Sequence, residues 1–156
     1  MVSEYKKAII EMASNDIYKL AITFSFNVDV VNTGFNIDTV KKKISDFNCR
    51  FFREYYNKWN WYKKIKVSSI HFVEHQNSYI HSHSIYSIPN KQDIKNLDII
   101  DTNWVCKYKE LAEKCFNKVW YNGDIFLTPI TSNGYANYIT KEVSNYVNDT
   151  DDFFLL

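Results

Sequence analysis

Apolar and polar positions along this chain follow two periods, and the period switches several times. Residues Ser3 to Ser14 read as a short N-terminal helix. The run Lys19-Leu20-Ala21-Ile22-Thr23-Phe24-Ser25-Phe26-Asn27 is apolar and β-prone, which predicts a buried strand. Asn36 or Asp38 can cap a long helix that runs to about Trp59. Lys66 to His75 and Tyr79 to Ile88 predict the two arms of a hairpin, ended by Pro89-Asn90. Lys91 to Asp101 is polar and reads as loop. Thr102 is positioned to cap a helix to about Val119, with Trp104, Tyr108, Leu111, Ala112 and Cys115 at helical spacing. Beyond an Asn122-Gly123 turn, Asp124 to Ile130 predicts a fourth strand, and Pro129 makes it an edge or a strand end. Ser132 or Asn133 can cap a last helix to about Val147, before an acidic tail, 148–156.

The order β-α-β-β-α-β-α predicts an α+β fold of the ferredoxin-like or RRM-like kind, one antiparallel sheet with helices packed on it. No repeat, low-complexity stretch or linker interrupts the pattern, so residues 1–156 read as one domain with a sizeable core.

Composition narrows the setting. No apolar run is long enough to cross a membrane, and the N-terminus lacks a signal-peptide core, so the expected location is cytoplasmic with no membrane partner. Cys49, Cys106 and Cys115 are odd in number and widely spaced. They read as reduced, buried thiols, not as a disulfide frame or a zinc knuckle. Net charge is only +1, but nine basic residues stand against two acidic ones between Thr39 and Lys66. That segment, which includes Lys41, Lys42, Arg50, Arg53, Lys63 and Lys64, is interleaved with aromatic residues. The mixture suits either single-stranded nucleic acid or a solvated amphipathic helix with an aromatic core face.

All four histidines fall within the thirteen residues His71 to His83. Period-two geometry points His81 and His83 to one face of a strand. A tight hairpin centred on Asn77-Ser78 puts Glu74 opposite His81 and on the same face. Two imidazoles and a carboxylate at one point form a ligand set for a divalent metal with positions left for a substrate. By the same alternation, His71 faces the core or the helices, and His75 adjoins the turn. On the last predicted helix, Tyr138 and Lys141 are one turn apart on one face, and Tyr135 extends the stripe. A tyrosine hydroxyl, with an ordinary pKa of about 10, becomes a useful nucleophile where the electrophile is activated. A nearby lysine can stabilise developing charge.

In this order, the motifs Ala21-Ile22-Thr23-Phe24-Ser25-Phe26, Glu74 with His81-Ser82-His83, and Tyr138 with Lys141 resemble those of the HUH endonucleases. The closer likeness is to their rolling-circle replication initiators, and it spans about residues 19–145. The resemblance implies Glu74, His81 and His83 as ligands of Mg²⁺ or Mn²⁺, Tyr138 as nucleophile and Lys141 as its partner. It implies nicking and joining of single-stranded DNA, at an origin or hairpin, through a 5′-phosphotyrosine intermediate. The helicase domain that many initiators carry is not expected in this chain, so the resemblance implies a separate helicase and polymerase as partners. Two features depart from the family. Ser82 replaces a bulky apolar residue, and Tyr135 and Tyr138 are separated by two residues where two-tyrosine members have three. A single nucleophile is therefore implied, with Tyr135 an auxiliary or a core residue. A single-strand transposase or mobilisation relaxase of the same superfamily, a non-catalytic single-strand binding module and a water-using metal phosphohydrolase are the competing readings.

Overall fold

The computed structural model of the chain describes residues 4–29, 33–75, 80–89, 99–131 and 153–156, with the backbone alone at residues 5, 6 and 75. In chain order the elements are α1 (Glu4–Ala13), β1 (Leu20–Ser25), α2 (Ile37–Tyr56), a 3₁₀ turn (Trp61–Lys63), β2 (Ser68–His75), β3 (Ile80–Ser87), α3 (Thr102–Val119), β4 (Asp124–Pro129) and β5 (Phe153–Leu155). The strands form one sheet in the order β4-β1-β3-β2-β5, and every pairing is antiparallel. The first four strands thus have the ferredoxin-like arrangement expected from the sequence, with β1 and β3 at the centre. The expected last helix, Tyr135, Tyr138 and Lys141 lie outside the described residues.

Strand alternation divides the sheet into two unlike faces. Leu20, Ile22 and Phe24 of β1 lie in one core with Ile80 and Tyr86 of β3, Val73 of β2 and Ile125 of β4. Against them pack Val40, Ile44, Phe47, Phe51 and Phe52 of α2, and Trp104, Ala112 and Phe116 of α3. This core is largely aromatic: the Phe24 ring lies 5.1 Å edge-on to Phe47 and 5.4 Å from Phe116. The quadrupoles of such rings favour tilted and edge-to-face contacts over face-to-face sandwiches. On the opposite face, Ile9 and Ala13 of α1 and Tyr18 cover Ile70, Phe72 and Ile85. The rest of that face holds the polar residues considered below.

Several boundaries differ from expectation, each for a local reason. Asn36 is the cap of α2, and its side chain accepts from the Thr39 amide at 3.1 Å. The helix stops at Tyr56, short of Trp59, because Asn57 turns left-handed at φ 51° and returns its amide to the carbonyls of Arg53 and Glu54. Such an ending satisfies helix carbonyls that would otherwise be orphaned. Asp101, not Thr102, caps α3, accepting from the Trp104 amide at 2.9 Å. The thiol expectation also needs correction: Cys115 is buried, but Cys49 and Cys106 are exposed. Phe153–Leu155, read as acidic tail, is a strand along the outer edge of β2. Pro129 ends β4, an edge strand, as its missing amide requires.

Behind the histidine hairpin lies a buried polar seam. His71 is fully buried, its Nδ1 hydrogen-bonded with Ser84 Oγ at 2.6 Å and its Nε2 with Ser69 Oγ at 2.7 Å. Ser82 Oγ bonds with Ser84 Oγ at 3.2 Å. The Phe154 ring stacks on the imidazole at 4.6 Å. Serines thus fill positions on β3 where large apolar side chains would otherwise meet the helices. No buried side-chain polar atom among the described residues lacks a partner.

Candidate functional site

The β2–β3 register pairs Glu74 with His81 and Phe72 with His83. The β1–β3 register pairs Ser25 with His81 and Thr23 with His83. Opposed residues share a face, so Glu74, His81, His83, Ser25 and Thr23 all lie on the side of the sheet away from α2 and α3. That is the shared face expected from a hairpin turning at Asn77-Ser78, although residues 76–79 themselves are outside the described set.

The two imidazoles are held alike. Ser25 Oγ and His81 Nδ1 are hydrogen-bonded at 2.9 Å, and Thr23 Oγ1 and His83 Nδ1 at 3.2 Å. A hydroxyl on Nδ1 fixes the ring plane and directs the other nitrogen, Nε2, to further chemistry, as outer partners of metal-bound histidines do. His83 Nε2 stands 3.4 Å from Glu74 Oε2, and both side chains are about one-fifth exposed, at 20% and 19%. With Nδ1–H donating to Thr23, a lone pair on Nε2 faces a carboxylate oxygen. The other tautomer accepts from the Thr23 hydroxyl through Nδ1 and turns an Nε2–H to the carboxylate, so the pair is compatible with a direct contact as well as with a bound cation. Adjacent ligands in an octahedral shell with Mg²⁺-length bonds stand about 3 Å apart, so this spacing fits two neighbouring ligands. Among the described residues no three His, Cys, Asp or Glu side chains close to a ready-made metal group. Glu74 and His83 do approach each other, with His81 on the strand pair beside them. The donor set itself, two imidazoles and one carboxylate, suits a divalent ion.

Thr23 and Ser25 are the residues that the sequence reading missed as site components. The signal was there: hydroxyls at i and i+2 on β1 repeat the spacing of the two histidines. Their placement depends on the end of β1. Asn27 adopts φ 48° and donates through Nδ2 to Asp124 Oδ2 at 3.3 Å. Asn122 Nδ2 donates to the Asn27 carbonyl at 3.2 Å, and Trp120 Nε1 donates to the Phe26 carbonyl. Gly123 passes so close to the Ser25 carbonyl oxygen that a Cβ would overlap it. The α3–β4 turn is therefore clamped directly onto the strand that carries both hydroxyls.

The remaining expectations divide. His71 is in the helix-side core, as alternation required. Lys41, Lys42 and Arg50 are exposed on α2, which lies across the sheet from Glu74 and the histidine pair. Lys63 and Lys64 are exposed in and beside the 3₁₀ turn that precedes β2, and Arg53 is half-buried near the end of α2. The fold thus brings none of these cations together with the histidines. No helix among the described residues is long and apolar enough to cross a membrane. Comparison with protein-family models, with curated proteins and with solved structures returned no match for the chain.

Proposed function

We propose that the protein is a metal-dependent enzyme of the HUH type, which nicks and joins single-stranded DNA and initiates rolling-circle replication. One observation carries this reading: two imidazoles, each held through Nδ1 by a hydroxyl of the neighbouring strand, share a sheet face with Glu74, whose carboxylate stands 3.4 Å from one of them, His83. The class of fold adds support, because a central hairpin presents all three side chains on rigid elements.

In this reading Glu74, His81 and His83 hold Mg²⁺ or Mn²⁺. Such an ion, when bound, draws charge from a phosphate oxygen and orients the phosphodiester for in-line displacement. Thr23 and Ser25 keep the imidazoles in the ligating tautomer. Tyr138 attacks phosphorus through its hydroxyl oxygen: the Oη–P bond forms as the P–O3′ bond breaks. The tyrosyl proton is released, the leaving 3′-oxygen gains one, and Lys141 stabilises the charge that develops between those events. The products are a 5′-phosphotyrosine and a free 3′-hydroxyl. The phosphodiester energy is retained in the covalent link, so attack by a 3′-hydroxyl reverses the step without ATP. The 3′-hydroxyl can instead prime synthesis by a separate polymerase working with a helicase.

The test is incubation with Mn²⁺ and single-stranded oligonucleotides, followed by separation of covalent adducts under denaturing conditions. An adduct is expected with the unaltered chain, and none with Tyr138→Phe or after chelation. Cleavage without adduct would favour a water-using phosphohydrolase, and binding without cleavage a non-catalytic module.

A further inference from the structure

The end of α2 and the segment that follows it form a second surface, well away from the histidines. Asn57 ends the helix in a left-handed turn, and the chain then runs through the 3₁₀ turn into β2 at Ser68. From Asn57 to Val67 the sequence has four lysines (Lys58, Lys63, Lys64 and Lys66) and no acidic residue. All four are exposed. Trp59 is 74% exposed and Tyr62 61% exposed. Trp61, between them in sequence, packs against Phe52 at 5.5 Å and Tyr56 at 6.2 Å, which anchors the segment to the core. The Arg53 guanidinium lies over the Trp59 ring at 4.7 Å, with Glu54 3.7 Å from Arg53 as the local counter-charge.

Trp59, with the Arg53 guanidinium on one face, and Tyr62, edge-on to Trp61 at 6.2 Å, stay largely exposed among five cations, and neither ring is part of the buried core. They are what an unpaired nucleic-acid strand requires: cations for the phosphates and flat faces on which exposed bases stack. Duplex DNA would use the cations but offers its bases no access to the rings. An anionic membrane would use the charge, but Trp59 stands between Lys58 and Asn60 and Tyr62 beside Lys63, an arrangement without an apolar wedge.

We propose that Trp59 and Tyr62, with Arg53, Lys58, Lys63 and Lys64, form a docking surface for single-stranded nucleic acid distinct from the histidine site. Ser68 pairs with Ser87 at one end of the hairpin and Glu74 pairs with His81 six residues further along. Six residues of strand span about 20 Å. Trp59 and Tyr62 precede Ser68 in the chain, so a nucleic-acid strand bound at both places would be held at two separate points. This deepens the proposed function by giving the substrate a second handle, and strands long enough to reach both points bind tighter than short ones.

The experiment uses a fluorescently labelled thymidine oligonucleotide titrated with the full chain in EDTA, so that no metal-dependent chemistry contributes. Tryptophan emission is followed in parallel. The unaltered chain is expected to bind with quenched emission. Trp59→Ala with Tyr62→Ala weakens binding about tenfold or more. Trp59→Phe with Tyr62→Phe restores most of it, which separates lost stacking from lost folding. Lys63→Gln with Lys64→Gln makes affinity fall less steeply with salt. The proposal is overturned if the double alanine variant binds like the unaltered chain. It is also overturned if a duplex competes as well as the single strand, or if phosphatidylserine vesicles bind where the oligonucleotide does not. A Tyr138→Phe chain should still bind here, so loss of the nuclease reading and loss of this surface are separately visible.

Discussion

A hydroxyl on a neighbouring strand decides which nitrogen of an imidazole meets a ligand. Ser25→Ala and Thr23→Val remove the partners of His81 and His83 Nδ1 while leaving every proposed ligand in place. The expected outcome is a 10- to 100-fold loss of Mn²⁺ affinity by calorimetry, roughly the cost of deleting an outer partner elsewhere. The melting temperature should change little by comparison. His71 obeys a different rule. Burial disfavours its charged form and lowers its pKa from 6.5 to about 3. The unfolded chain therefore takes up a proton below pH 6.5 that the folded chain refuses until about pH 3. The contribution is fully present above pH 6.5 and is lost as pH falls through that window, at about 1.4 kcal/mol per unit. Urea denaturation at pH 7, 6 and 5 should show a shallower decline for His71→Leu than for the unaltered chain. An identical slope would mean that His71 is not buried as a neutral ring. At this scale Glu74 opposite His81 was legible because strand period and turn length fix it. Thr23 and Ser25 were not, because alternating hydroxyls occur on many strands and register with a strand about sixty residues away is not written locally.

The turn between α3 and β4 connects helix packing to the site. Gly123 lies against the Ser25 carbonyl, the Phe116 ring at 2.9 Å and the Trp120 ring at 3.0 Å from where a Cβ would stand. The ring atoms can yield, but the carbonyl belongs to the central strand and cannot move without Ser25. Gly123→Ala should therefore lower both the melting temperature and Mn²⁺ affinity, whereas Ser25→Ala lowers chiefly the second. Thermal unfolding and calorimetry on the two variants separate the cases. The helices and four main strands were legible because each has its own apolar period. Their ends were less so: Asp101 and Thr102 are both good caps, and only the geometry selects the aspartate. β5 left almost no signal, since three residues after an acidic stretch become a strand only by pairing with the edge of β2.

Across the whole molecule, the sheet separates work from support. Aromatic rings of both long helices fill one face, and the candidate chemistry occupies the other. Phe24 is fully buried between Phe47 and Phe116, on the strand whose alternate residues are Thr23 and Ser25. Phe24→Ala should cost about 3–5 kcal/mol by denaturant unfolding, mostly as lost burial and a residual cavity. The fold class was legible because the element order admits few packings. The separation of the basic segment from the histidines was not, since charge runs in a sequence do not say which side of a sheet they will reach.

The bonds from Ser25 to His81 and from Thr23 to His83 close loops of 56 and 60 residues. The Glu74–His81 pair is separated by only seven positions of chain. A newly made chain can therefore form its hairpin within microseconds and bring carboxylate and imidazole together long before β1 is zipped alongside. The slower, long-range pairing sets the tempo of folding. In the proposed metal site, capture of full strength would wait for that last seam, and an ion added during refolding would then report completion of the sheet.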